Sequence, residues 1–330
     1  MTRIARRDLL ALTVGAAASP AVAVQTATPQ LPQPSWPPAE RILLWPGSPP
    51  GAPATLPRLA PQITGRPGEY RDIWMRGTAR PDIGVFRAAR PDGRGVLVIP
   101  GGGYNFVSLR GEGTDVARAL NARGITCFVL NYRLPAEGWS DRANVPLQDA
   151  QRALRLTRAD ARRYAVDPAR LGVLGFSAGG HLAGSLATLF ATDVYRPVDA
   201  ADRQSARPAF AGLVYAVSNV DPGRSHGGSR ANLLGPSPDP AMERRYATDR
   251  RISATTPPLF IVHASDDATV PVFNSLDILG AARAANVAAE AHIFQKGGHG
   301  FGARLPRSFP ASLWPDLFDR WAAGIVAPVR

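Results

Sequence analysis

From about Tyr70 onward, short apolar runs alternate with stretches whose apolar positions recur every three or four residues. Runs of that length rich in Val, Ile, Leu and Phe predict buried strands, and the recurrence predicts helices that bury one face. The expected strands are Ile83–Arg87, Val96–Ile99, Thr126–Leu130, Leu171–Phe176, Leu213–Val217, Leu259–His263 and Ala291–Phe294. The expected helices are Thr114–Arg123, Leu147–Tyr164, Ala178–Phe190, Ser275–Ala285 and Trp314–Ala323. In the second of these Leu147, Ala150, Leu154, Thr157, Ala161 and Tyr164 share a face, and Asp167-Pro168 is expected to stop it. Strands and helices in alternation predict one α/β domain over residues 70–330, with a mostly parallel, doubly wound sheet covered by helices on both faces. No internal repeat and no second core is visible.

Upstream, residues 24–69 lose all periodicity and carry PQLPQPSWPP and WPGSPPGAPATLP. This composition predicts an extended lead-in, partly draped over the domain by Trp36 and Trp45. Residues 1–23 have the layout of an export signal: Arg3, Arg6 and Arg7, then the apolar run Leu9–Ala18, then Ala21-Val22-Ala23. Arg6-Arg7 gives it a twin-arginine form, which implies a periplasmic or secreted protein exported already folded. The run is short for a membrane span and weakened by Gly15 and Ser19, so cleavage near Ala23 and no stable membrane insertion are expected.

Charge changes this picture little. The 330 residues carry a formal net charge of +12, but Lys296 is the sole lysine among 38 Lys and Arg, and the arginines are scattered. Without a polybasic run or a basic helix stripe, no nucleic-acid partner is expected. Cys127 is the only cysteine, which excludes an intramolecular disulfide, and its setting in ITCFVLNY predicts an inert, buried strand position.

The candidate chemistry sits in LGVLGFSAGGH, residues 171–181, where Gly175 and Gly179 flank Ser177 in the form G-x-S-x-G. Glycines at those positions let a strand turn sharply into a helix and leave the serine hydroxyl exposed at the turn. A serine is a poor nucleophile without a base, and the base needs an orienting carboxylate. Of the five histidines, His181 lies on the helix after the serine and reads as a packed residue, while His263 and His292 lie at or within strands. His226 lies in a glycine-rich loop within reach of a substrate. His299, in GGHGF directly after the last strand, is the candidate base. Asp267, in D-x-x-V-P after the strand Leu259–His263, is the candidate carboxylate, with Asp266 the alternative. Pro100-Gly101-Gly102-Gly103-Tyr104 follows another strand end and offers unobstructed backbone N–H groups. Gly102 and Gly103, with Ala178, are the candidate donors to an oxyanion. A phosphate-binding turn would need glycine spacings that are absent around this run.

The order Ser177, Asp267, His299 is that of α/β-hydrolases. With VIPGGGY, EGTDVARALNARGI, VLNYRLP, GFSAGGHLAGSLAT, GSRANLLG, TPPLFIVHASDDATVPVFNS and GGHGFG in family order, the chain resembles bacterial acetyl-xylan-esterase-like α/β-hydrolases of the feruloyl-esterase-like (BD-FAE) type. The resemblance implies a serine esterase that removes short acyl groups, typically acetyl, from a small-molecule or carbohydrate ester, with no metal or cofactor. It carries Ser177, Asp267 and His299 over as the triad. The chain departs from the common HGGG loop, having Pro100 or Gly101 where the first histidine would stand. Tyr104, Phe301 and Trp139 are candidates to stack on the substrate, His226 to contact it, and the long segment Ser218–Thr256 to shape its pocket. Two other readings remain: a prolyl-oligopeptidase-like peptidase, and a non-catalytic binding protein on a hydrolase scaffold.

Overall fold

The computed structural model describes residues 34–66, 68–221 and 223–325, so the export-signal reading of residues 1–23 lies outside them. The strands are β1 (Arg41–Leu43), β2 (Gln62–Ile63), β3 (Ile73–Met75), β4 (Asp82–Phe86), β5 (Gly93–Ile99), β6 (Val107–Ser108), β7 (Thr126–Asn131), β8 (Val166–Phe176), β9 (Ala211–Val214), β10 (Leu259–Ala264) and β11 (Ala289–Phe294). The helices are α1 (Asp115–Asn121), α2 (Val145–Ala159), α3 (Ser177–Leu189), α4 (Gly227–Leu234), α5 (Pro240–Tyr246), α6 (Phe273–Ala284) and α7 (Trp314–Ile325). Among the described residues, no helix is long and apolar enough to cross a membrane.

Eight strands form the main sheet in the order β1-β4-β7-β5-β8-β9-β10-β11. From β7 to β11 every neighbouring pair is parallel, and β4 and β1 close one edge antiparallel. The central strands β5, β7 and the second half of β8 are buried along their length, as their continuous apolar sequences require of a sheet covered on both faces. After β5 the chain steps through α1 to β7 on one side, then through α2 back across to β8 on the other. With right-handed crossovers, opposite steps place α1 and α2 on opposite faces. Helix α7 packs beside α1, and α3 beside α2. The strand order reverses at β5, and ligand crevices in such sheets open beyond the strand carboxyl ends at that reversal.

Several boundaries differ from the sequence reading. The predicted helix to Tyr164 stops at Ala159; Ala161–Tyr164 form a tighter single turn, and Ala165 takes a left-handed conformation at φ 54°. The chain then enters β8 at Val166, so Asp167 and Pro168 lie in the strand's exposed first half. The strand expected to reach Val217 ends at Val214, because Tyr215 at φ 37° turns the chain out of the sheet. The lead-in is not separate from the domain at residue 70. Its Arg41–Leu43 pairs with β4, and its Gln62–Ile63 pairs with β3 in a second sheet, ordered β2-β3-β6. Trp45 is buried and donates its indole N–H to Asp149 at 2.8 Å. That carboxylate also holds the fully buried Arg133, which satisfies a charge that would otherwise be costly to bury.

Candidate active site

Ser177 stands where β8 becomes α3, at φ 53°, a left-handed conformation that a serine adopts only when its surroundings impose it. The turn is tight. A Cβ on Gly179 would lie 2.2 Å from the Ile99 carbonyl oxygen and 2.4 Å from that of Pro100, so glycine lets the helix start press against the end of β5. The hydroxyl of Ser177 donates to His299 Nε2 at 2.9 Å, and His299 Nδ1–H donates to Asp267 Oδ2 at 2.7 Å, which fixes the tautomer. The structure therefore brings together the serine, histidine and carboxylate picked out by the sequence.

The adjacent aspartates divide their contacts. Asp267 is buried; its Oδ1 accepts the N–H groups of Thr269 and Val270 at 2.8 and 2.9 Å. Burial pulls its pKa up, but contacts from His263, His299 and Val270 outweigh that and hold it well below the ordinary carboxylate range. Asp266 is exposed and accepts the N–H groups of Gly297 and Gly298 at 2.9 and 2.8 Å, pinning the backbone that carries His299.

The Gly101–Tyr104 loop crosses in front of the serine. Gly102, at φ 129°, accepts the N–H groups of Asn105 and Phe106 on its carbonyl oxygen. Among the described residues neither Gly102 N–H nor Gly103 N–H has a protein acceptor. Ala178 lies in the first turn of α3, whose N–H groups have no partner within the helix.

Ser177, His299, Gly102, Gly103, His226 and Glu112 are among the residues that line a cavity of about 500 Å³. His226 is not in a loop interior; it caps α4, its Nδ1 accepting the Ser229 N–H at 3.1 Å, and burial lowers its pKa. Three expected stacking residues do not line the cavity. Tyr104, at φ 57°, turns inward and is buried, its hydroxyl 2.8 Å from His181 Nδ1. Phe301 packs edge-on against Tyr215 at 4.6 Å, and Trp139 is buried under the Arg133 guanidinium at 4.6 Å. The cavity's aromatic wall is instead Trp74 and Phe106, stacked on each other at 4.0 Å. The segment Ser218–Thr256 does reach the cavity, through His226, Gly228 and Asn232, and Asn232 holds the Gly103 carbonyl at 2.8 Å.

Four contributors escaped the sequence reading. His263 was placed in the core, where it is, but its Nε2 also lies 3.3 Å from Asp267 Oδ2, across the turn that ends β10. Asn232, Glu112 and Tyr215 reach the site only through tertiary contacts. Cys127 is buried, which pushes its thiol pKa up and leaves it unreactive.

Residues 82–280 match the BD-FAE family. The chain is 35% identical over 247 residues to an acetylxylan esterase of Xylanibacter ruminicola, covering 74% of this chain and 48% of that protein. It is 35% identical over 230 residues to endo-1,4-beta-xylanase B of Butyrivibrio fibrisolvens, covering 69% of this chain and 34% of that one. The chain thus spans about half the length of the first relative and about a third of the second. An acetyl ester-xyloside bifunctional hydrolase from Caldicellulosiruptor lactoaceticus superposes with a TM-score of 0.68 at 37% identity, over 74% of this chain and 88% of that one. The carboxylesterase Cest-2923 from Lactobacillus plantarum, 23% identical, shares the fold at a TM-score of 0.60 over 82% of this chain and 100% of that one. The chain belongs to the BD-FAE family and has the α/β-hydrolase fold.

Proposed function

We propose that this protein hydrolyses short-chain, chiefly acetyl, esters of carbohydrates through a serine acyl-enzyme. The observation that carries this reading is the hydrogen-bonded chain Ser177–His299–Asp267 on a cavity that also exposes Gly102 and Gly103. The names of the Xylanibacter and Caldicellulosiruptor relatives support the acyl and sugar classes.

Ser177 Oγ attacks the ester carbonyl carbon while its proton passes to His299 Nε2. The carbonyl π electrons move to oxygen, and the N–H groups of Gly102, Gly103 and Ala178 stabilise that charge; one such donor is worth about 10²–10³ in kcat. Asp267 keeps Nδ1 protonated and stabilises the imidazolium. The C–O bond to the alcohol breaks as Nε2 returns the proton to the leaving oxygen. Water then repeats the sequence on the acyl-enzyme, giving up one proton to His299, and the acid leaves as Ser177 is reprotonated.

The test is a panel of p-nitrophenyl acetate, butyrate and feruloyl esters, acetylated xylo-oligosaccharides and a prolyl arylamide, run on the wild type and Ser177→Ala. Acetyl esters are expected to turn over fastest, with loss of activity and of fluorophosphonate labelling in the variant. Faster cleavage of the arylamide would move the assignment to a peptidase. No serine-dependent turnover of any ester would leave the scaffold as a binding protein.

A further inference from the structure

Behind the Gly101–Tyr104 loop lies a buried carboxylate to which the hydrolytic sequence above gives no part. Glu112, 5% exposed, sits in the wide turn Arg110–Thr114 that joins β6 to α1. Its Oε2 accepts the Gly101 N–H at 2.7 Å, and its Oε1 accepts the Tyr215 hydroxyl at 2.9 Å. The same hydroxyl oxygen accepts the Gly302 N–H at 2.9 Å, and the Tyr215 ring lies 4.9 Å from the ring of His299.

Directionality follows from these contacts. Gly302 occupies the phenolic oxygen as a donor, so the Tyr215 proton points to Glu112. Gly101 N–H is also a donor. Both Glu112 oxygens are therefore acceptors, a demand that a carboxyl group meets on both atoms and an amide on only one. Burying such a group is unfavourable unless each contact is made, and an apolar side chain could fill the space without that penalty. The backbone leaves little room for adjustment. A Cβ on Gly101 would fall 2.7 Å from Glu112 Oε2 and 2.8 Å from Ser177 Cβ, and one on Gly302 would fall 2.3 Å from the Gly111 carbonyl oxygen.

We propose that Glu112 is a positioning residue that holds the oxyanion loop and the histidine loop in one register, gripping the first at Gly101 and the second through Tyr215 and Gly302. The proposal rests on the serine-esterase reading. Glu112 acts on the donors at Gly102 and Gly103 and on the imidazole, not on the acyl group itself, so its removal should penalise the transition state more than substrate binding.

The experiment compares Glu112→Gln, Glu112→Asp, Tyr215→Phe and the Glu112→Gln/Tyr215→Phe double variant on p-nitrophenyl acetate. It follows kcat, KM, Tm and affinity for a boronic acid that mimics the tetrahedral adduct. For Glu112→Gln, kcat should fall about 10- to 100-fold, the scale of a 1 Å misplacement, with KM within about threefold. Boronate affinity should weaken by the factor lost in kcat/KM. Glu112→Asp should recover part of the loss. The double variant should lose less than the product of the single losses, because both changes break one chain of contacts. Unchanged kcat in a folded Glu112→Gln, or a lower kcat with undiminished boronate affinity, would overturn the proposal. If the glutamine variant does not fold, Tyr215→Phe decides: kcat and boronate affinity falling together supports the proposal, and neither falling overturns it. Absence of Ser177-dependent turnover in the wild type would instead remove the esterase reading itself.

Discussion

Asp266 and Asp267 are neighbours in sequence with the same side chain, yet they hold different things. One grips the backbone of the histidine loop and the other the imidazole itself. Asp267→Asn should keep the geometry but lose the acceptor that fixes the Nδ1–H tautomer, lowering kcat by about 10⁴. Asp266→Asn keeps an acceptor oxygen for Gly297 and Gly298 and should cost less than about tenfold. Ester kinetics on the two variants check this, and a reversed order would make Asp266 the orienting carboxylate. At this scale the hydrogen-bonded set of Ser177, His299 and Asp267 was legible because glycines and D-x-x-V-P mark strand ends directly. Tyr104 was misread because an aromatic after three glycines looks presented to a ligand, whereas its positive φ sends the ring inward to His181. Glu112 and Tyr215 left no local mark, since their partners lie 11 and 103 residues away.

Elements with long apolar periods were legible and those made by short pairings were not. The central strands announce themselves by continuous Val, Leu and Ile; β2 and β6, of two residues each, exist only because β3 lies between them. Helices α4 and α5, inside the segment Ser218–Thr256, were not among the expected helices: one opens on Gly-Gly and the other spans only 7 residues. Both nevertheless connect to the site, α4 through Gly228 and Asn232 and α5 through His181 on α3. Fully buried, it accepts the Tyr104 hydroxyl on Nδ1 and donates Nε2–H to the Tyr246 carbonyl at 2.7 Å, joining the helix that starts at Ser177 to the glycine loop and to α5. Burial lowers its pKa to about 4, although the Tyr246 carbonyl favours the charged form. An unfolded histidine titrates near 6.5, so between those values the unfolded chain takes up a proton that the native state refuses. Stability should fall as pH drops from about 6.5 to 4, by about 3 kcal/mol from this residue alone. Urea unfolding at several pH values should show a shallower slope for His181→Gln over that window, on a lower baseline. Parallel curves for the two proteins would rule the histidine out as the source.

The cavity is a property of the whole chain, because segments remote in sequence meet there. Asp72 comes from the residue before β3 and Trp74 from β3 itself, Phe106 from the loop after β5, His226 and Asn232 from the insertion before β10, and Arg304 from beyond β11. Of these, Asp72, Trp74 and Arg304 lie outside residues 82–280, so the family match reaches Ser177 and the insertion but not the whole wall. The proline-rich lead-in, read from sequence as drapery, supplies β2, which pairs with the strand carrying Trp74. Proline removes backbone donors and breaks periodicity, so such a segment gives no pattern from which its pairing could be read. The aromatic wall stands beside the glycine loop: a Cβ on Gly102 would lie 2.7 Å from a Phe106 ring carbon. A minimal acetyl donor has little surface to place against it, whereas a sugar or a larger acyl group would cover it. Aromatic contacts of this kind are worth about 0.5–1.5 kcal/mol. Trp74→Ala should therefore raise KM for acetylated xylo-oligosaccharides between about twofold and tenfold, and leave kcat/KM for ethyl acetate within about twofold. Steady-state kinetics on the two substrates would decide it: equal losses on both would mean that Trp74 supports the fold of the glycine loop and does not meet the substrate.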